Sequence, residues 1–278
     1  MDVPEEYFDA FVCGDCFEIM PKIPSESVDL VLTDPPYGID YQSNRRVARK
    51  KLPKFAGDVD LSWLPRFAEE IDRVLKPDRH FYCFTRFDTY PIFYQVISSR
   101  FKVKNCLIWV KNNHGSGDLR GAYAPQSEMI IFAVKGKREL FGPRESDVLQ
   151  YDNVPSAFRA HATQKPVDLL RLLIEKSTLP GEIVLDPFAG TGSTGLACKD
   201  TLRHRGDHGE RHYLLIEMNR SFQTAGVRGG LGKQGRLWTD IPRPVTTIAA
   251  RKRAVVRSRR LPRARANQTL SLDLKIPP

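Results

Sequence analysis

Six consecutive residues, Thr33-Asp34-Pro35-Pro36-Tyr37-Gly38, bring a carboxylate, a proline-held carbonyl and an aromatic ring together. An exocyclic amine on a heteroaromatic ring is a poor nucleophile because its lone pair is delocalised into the ring. Two acceptors that take both amino hydrogens pull the nitrogen toward tetrahedral geometry. Asp34 and the rigidly held carbonyl of Pro35 supply such a pair, Pro36 stiffens the turn, and the ring of Tyr37 can stack on a flat base. The same residues also read as a strand stopped by two prolines with an aspartate cap.

A second segment, Asp186-Pro187-Phe188-Ala189-Gly190-Thr191-Gly192-Ser193-Thr194-Gly195, follows the apolar run 182–185. Gly190 and Gly192 suit a strand-to-helix turn at which the backbone approaches a ligand closely. Asp186 can accept hydrogen bonds at the strand end, and Glu217, closing the next apolar run, is placed to take both hydroxyls of a ribose. Together they describe a nucleoside pocket; a purely structural turn uses the same glycines. No Gly-Lys-Ser/Thr ending follows, which disfavours a nucleotide triphosphate.

The elements that must position these segments alternate. Residues 27–33 read as a buried strand, and 62–75 as a helix through Trp63, Leu64, Phe67, Ile71, Val74 and Leu75, ended by Pro77. Strands are expected at 79–85, 105–110, 128–134, 182–185 and 213–216, and helices at 166–177 and 194–202. This order predicts an α/β doubly wound sheet. Residues 111–125 between two strands are polar and too long for a hairpin turn, as a functional loop would be.

Charge is placed unevenly. Fourteen of the 43 Lys/Arg but two of the 33 Asp/Glu lie from Asn219 onward, so the first 218 residues carry −2 and the rest +12. Such a tail suggests a polyanion such as nucleic acid, or equally a solvated extension. A second basic run, 45–54, stands just after Tyr37, where nucleic-acid contact fits better than a merely solvated surface. The chain has five cysteines, and the one close pair, Cys13 and Cys16, lacks the second pair a zinc site needs, so no metal is expected. No apolar run approaches the roughly 20 residues of a membrane span, and residues 1–9 do not read as a signal peptide. A reducing cytoplasm is the expected setting.

In its motifs and their order the chain resembles the β group of amino-group DNA methyltransferases, in which Asp-Pro-Pro-Tyr precedes the cofactor segment. The resemblance spans about 11–219: Gly14-Asp15-Cys16, residues 27–37, Trp109-Val110-Lys111-Asn112, residues 123–128, His161-Ala162-Thr163-Gln164-Lys165-Pro166, residues 186–194 and Ile216-Glu217. It implies a circularly permuted, Rossmann-like methyltransferase sheet at 1–219 and S-adenosylmethionine as cofactor. Asp34, Pro35, Pro36 and Tyr37 would be catalytic. Asp15 and Cys16 would border the cofactor's adenine and Thr163, Gln164 and Lys165 its methionine end. Asp186, Pro187, Phe188, Gly190, Gly192, Ser193 and Thr194 would line its centre, and Glu217 its ribose. Catalytic and cofactor strands would be neighbours at the switch point of the sheet.

The resemblance further implies double-stranded DNA as partner and a flipped target base, N6 of adenine, since Asp rather than Ser stands at position 34. N4 of cytosine is the alternative, as is an idle DNA-binding relative. A 5-methylcytosine enzyme would need a Pro-Cys nucleophile, and no cysteine follows a proline. Site recognition is expected within 111–125 and 136–160. Residues 220–278 form a basic extension, where 220–237 is glycine-rich instead of the closing helix the family implies. The DNA sequence read, a partner endonuclease and the oligomeric state have no signature in the residues.

Overall fold

The computed structural model describes residues 9–38, 60–115, 120–154, 164–204 and 211–217. Eight strands form one mixed sheet: β1 (Ala10–Cys13), β2 (Val28–Thr33), β3 (Leu75–Thr85), β4 (Lys102–Val110), β5 (Ser127–Lys135), β6 (Val148–Gln150), β7 (Ile183–Asp186) and β8 (His212–Glu217). Their order is β1-β8-β7-β2-β3-β5-β4-β6. The pairs from β1 across to β3 are parallel, β5 runs antiparallel to both β3 and β4, and β6 is parallel to β4.

Strand periodicity sends alternate residues to two cores. Val31, Phe81, Cys83, Ile131, Leu185 and Ile216 meet one face, with helices α1 (Cys16–Ile19), α2 (Leu64–Val74) and α3 (Tyr90–Ser98) packed there. Leu30, Leu32, Tyr82, Phe84, Phe132 and Leu215 meet the other, against α4 (Val167–Ser177) and α5 (Ser193–His204). Helices therefore cover both faces, as the alternating sequence pattern predicts. In α2 the buried Leu64, Phe67, Ala68, Ile71 and Val74 form a single stripe, with Pro65 in the first turn where its missing N–H costs nothing. Among the described residues no helix is long and apolar enough to cross a membrane.

Three local expectations need correction. β3 begins at Leu75, not at 79, and runs through Pro77, because the β2–β3 ladder breaks between Val28↔Leu75 and Leu30↔His80 and the proline falls in that break. Pro77 nonetheless follows the helix closely: α2 stops at Val74 and Leu75 is already extended. Residues 111–126 do join antiparallel neighbours, since Val110 pairs with Ser127, so this loop caps a long hairpin. Lastly, Pro166 is the N-cap of α4 and not part of its first turn. Asp29, 2% exposed, accepts bonds from Lys76 and Arg79 on β3 and from the Ile183 amide on β7, fastening three central strands at the end opposite the site.

Candidate active site

Parallel strands end on the same side, so the sheet gathers the chemistry-bearing residues along one edge. Asp15 follows β1, Glu217 ends β8, Asp186 ends β7, Asp34 follows β2, Glu128 opens the antiparallel β5 and Lys111 follows β4. The strand carrying Asp34 is hydrogen-bonded to the strand carrying Asp186, with Leu30 opposite Val184 and Val31 opposite Leu185. The expected neighbourhood of the two key strands is therefore present.

On the β1-β8-β7 side the glycine turn is built around two carboxylates. Asp186, 4% exposed, accepts from the Thr194 hydroxyl (2.6 Å) and the Phe188 amide (3.2 Å), and burial pushes its carboxyl up to about 7 against these bonds. The Glu217 carboxylate accepts from the Gly190 amide at 2.8 Å. Gly190 and Gly192 both have positive φ, +53° and +77°, which a side chain would strain. A Cβ built at Gly190 meets no atom within 4 Å, so the turn faces open space that a side chain would fill. Gly195 answers to packing instead: a Cβ there would come within 2.8 Å of Leu215, so glycine lets α5 lie close on β8.

Asp15 caps α1, its Oδ1 accepting from the Phe17 amide at 2.8 Å, and the amide of Gly14 donates to the Glu217 carbonyl. Cys16 is buried, and burial with the adjacent Asp15 pushes its thiol up to about 12, so it is an inert apolar wall. Phe188 packs its ring against Trp63 and Phe67, which ties the turn to α2. Pro187, Ser193 and Thr194 are buried at the base of the turn, with Ser193 opening α5.

On the β2-β3-β5-β4 side four charges alternate. Lys165 Nζ lies 2.7 Å from Asp34 Oδ2 and 2.9 Å from Glu128 Oε2, while Lys111 Nζ lies 2.6 Å from Glu128 Oε1. Lys165 also rests over the Phe84 ring and Lys111 over the Trp109 ring, both at 4.9 Å. The Tyr37 hydroxyl donates to Asp34 Oδ1. Burial raises the Asp34 carboxyl, with Lys165 pulling it back down. Glu128 also pays for burial, but its two lysines outweigh that and bring it down to about 2. The two carboxylates in turn raise Lys165 in spite of its burial, so it stays charged.

The structure thus brings together Asp34, Pro35, Pro36 and Tyr37 on one turn and Asp186, Gly190, Gly192, Ser193, Thr194 and Glu217 on the other. The Lys165 ammonium faces Asp34. Gln164 is described beside it, and Thr163 lies outside the described residues, as do 45–54, 155–160 and 220–278. Sequence reasoning assigned no role to Glu128 or Lys111. Both stood inside quoted motifs, and a Lys and a Glu flanking a polar loop were the available signal. The two segments expected to read DNA meet: the Tyr151 amide donates to the Val110 carbonyl, and Asn153 bonds Asn112 and Asn113.

A DNA methylase family model matches residues 28–228. Over 219 residues the chain is 34% identical to YubD of Escherichia coli (strain K12), covering 78% of this chain and 87% of that protein. It is 27% identical over 249 residues to the DNA adenine methyltransferase YhdJ of the same organism, with 77% and 80% covered. Among solved structures the M1.HpyAVI–SAM complex superposes with a TM-score of 0.56 at 27% identity, covering 81% of this chain and 98% of that one.

Proposed function

Because the chain belongs to the N6/N4 DNA methylase family, we propose that it transfers a methyl group from S-adenosylmethionine to an exocyclic amino nitrogen of DNA, N6 of adenine. The observation that carries this reading is the adjacency of β2 and β7, which sets the acceptor Asp34 beside the open glycine turn. The residues present fit the cofactor: the space in front of Gly190 admits a ligand against bare backbone, and Glu217 and Asp15 offer carboxylates at its margin. Glu217 would take the ribose hydroxyls, Asp15 and Cys16 would border the adenine, and the turn from Asp186 to Thr194 would hold the centre. Thr163 and Gln164 would reach the methionine end. When bound, S-adenosylmethionine supplies an electrophilic methyl group on sulfur.

Asp34 and the Pro35 carbonyl accept the two amino hydrogens of the target base, which localises the nitrogen lone pair and aims it. Pro36 keeps the turn rigid. For the base to use Asp34 Oδ1, the Tyr37 hydroxyl shares that oxygen or turns away from it, leaving the ring to stack on the base. The proton that the nitrogen sheds passes to water, and no covalent bond to the protein is required. Orientation of this kind contributes up to ~7–11 kcal/mol to a transfer reaction. A duplex base must first leave the stack, at a cost of a few kcal/mol, approximately, that stacking on Tyr37 partly offsets.

Adenine is preferred because Asp stands at position 34 and because one relative is an adenine methyltransferase by name. The test is to incubate the purified chain with tritiated S-adenosylmethionine and unmethylated double-stranded DNA, then digest to nucleosides. N6-methyladenine is expected. N4-methylcytosine would move the target base, and absence of any transfer would overturn the reading.

A further inference from the structure

Glu128 touches none of the groups just assigned, yet it is held from both sides. Lys111, following β4, reaches one oxygen at 2.6 Å, and Lys165, preceding α4, reaches the other at 2.9 Å. Lys165 then spans to Asp34 at 2.7 Å. Lys165 is only 8% exposed and rests on Phe84, so its long side chain has little room to choose another partner. Four residues, after β4, on β5, before α4 and after β2, are thus linked end to end, and the last is the proposed acceptor. We propose that Glu128, anchored by Lys111, is a positioning residue that holds Lys165 on Asp34 and so sets the direction in which Asp34 presents its oxygens to the target amine.

The proposal rests on the reading of Asp34 given above. A flexible ammonium attached to Asp34 alone could swing the carboxylate with it; one tied also to Glu128 has a single place to stand. Misplacement of a reacting group by about 1 Å costs on the order of 100-fold in rate, so loss of the tie should lower turnover without emptying either binding site. The charge of Glu128 acts on Asp34 as well. The charged and titratable groups around Asp34 are Lys165, which lowers its pKa, and Glu128, which raises it; Tyr37 donates a hydrogen bond that lowers it. Cys83 and Asp186 complete the set among the described residues.

The experiment compares full-length wild type, Glu128→Gln, Lys111→Met, the double variant and Asp34→Ala by single-turnover methyl transfer at saturating DNA and cofactor from pH 5.5 to 9. Calorimetry gives cofactor affinity in parallel. Glu128→Gln should lose about 10–100-fold in rate, keep cofactor affinity within about 2-fold, and move the acid limb to lower pH because a charge that raises Asp34 is gone. Lys111→Met should show a smaller loss of rate, and it carries the test if Glu128→Gln does not fold. The double variant, which leaves neither partner unpaired, should be more stable than Glu128→Gln. An unchanged rate and acid limb in Glu128→Gln would overturn the proposal, as would a loss confined to cofactor affinity. Full activity of Asp34→Ala would instead remove the reading beneath it, which keeps the two failures apart.

Discussion

Replacing Lys165 with methionine keeps the length of the side chain and its contact with Phe84 but leaves two carboxylates facing each other without their cation. The Glu128 carboxyl lies at about 2 against an ordinary 4.5, a drop equivalent to about 3 kcal/mol. Lys165 is the larger of the two cations responsible and Lys111 the smaller, so losing Lys165 gives up the greater share of that pull. Asp34, already raised by burial, loses the cation that pulls its carboxyl down. The total falls at the low end of the about 3–5 kcal/mol typical of breaking a buried pair, which for a domain of this size lowers Tm by roughly 6–12 °C.

The pH dependence has a definite sign. In wild type, the depressed Glu128 contributes stability that is complete above its unfolded pKa near 4.5 and is lost as pH falls toward about 2. In Lys165→Met the Asp34 carboxyl rises further above its unfolded value while Glu128 keeps Lys111 and part of its depression, so the penalty at Asp34 is full at neutral pH and shrinks as the folded variant takes up protons on the way to pH 5. Thermal unfolding of both proteins at pH 7.5 and pH 5 checks this. A Tm gap that is the same at both pH values, or below about 2 °C at pH 7.5, would refute the electrostatic account of this corner.

Gly190→Val should weaken S-adenosylmethionine binding at least ~10-fold by calorimetry, because the side chain enters the open space before the turn and the +53° φ resists it; Glu217→Ala should also weaken it, through the lost ribose contact, and unchanged affinity in both would place the cofactor elsewhere. Removing residues 251–278 should lower DNA affinity and flatten its salt dependence while leaving the methylated sequence unchanged, since each phosphate contact adds to the salt slope without reading bases; a changed methylated sequence would contradict this.

Both turns that carry the proposed chemistry were legible in the sequence because their backbone is dictated locally. Two prolines stop β2 at Asp34, and glycines at positive φ shape the turn after β7. The doubly wound sheet followed from alternating apolar runs. α3 escaped notice because Tyr90, Ile92, Phe93, Tyr94, Val96 and Ile97 are apolar nearly all round, which blurs a 3.6-residue period, although only Phe93 and Ile97 are buried. β6, at three residues, is too short to leave a pattern, and its pairing with β4 is a property of the folded sheet. The chain of charges from Lys111 to Asp34 was not legible for a similar reason. Its members stand at positions 34, 111, 128 and 165, and only the strand order β2-β3-β5-β4, with Lys165 leading into α4, brings them into line. The sequence joins Lys165 to Thr163 and Gln164 in one motif, and its reach across the sheet edge to Asp34 is a property of the folded chain.

The central claim is that Asp34 acts on the target amine while the glycine turn holds the methyl donor, and a paired measurement on Asp34→Ala tests it directly. Single-turnover methylation of double-stranded DNA and calorimetric binding of S-adenosylmethionine are measured on the same preparation. Methyl transfer should fall below detection with cofactor affinity within about 3-fold of wild type, since removing one acceptor costs alignment of the amine rather than the fold or the donor site. Methyl transfer near the wild-type rate in this variant would contradict the account.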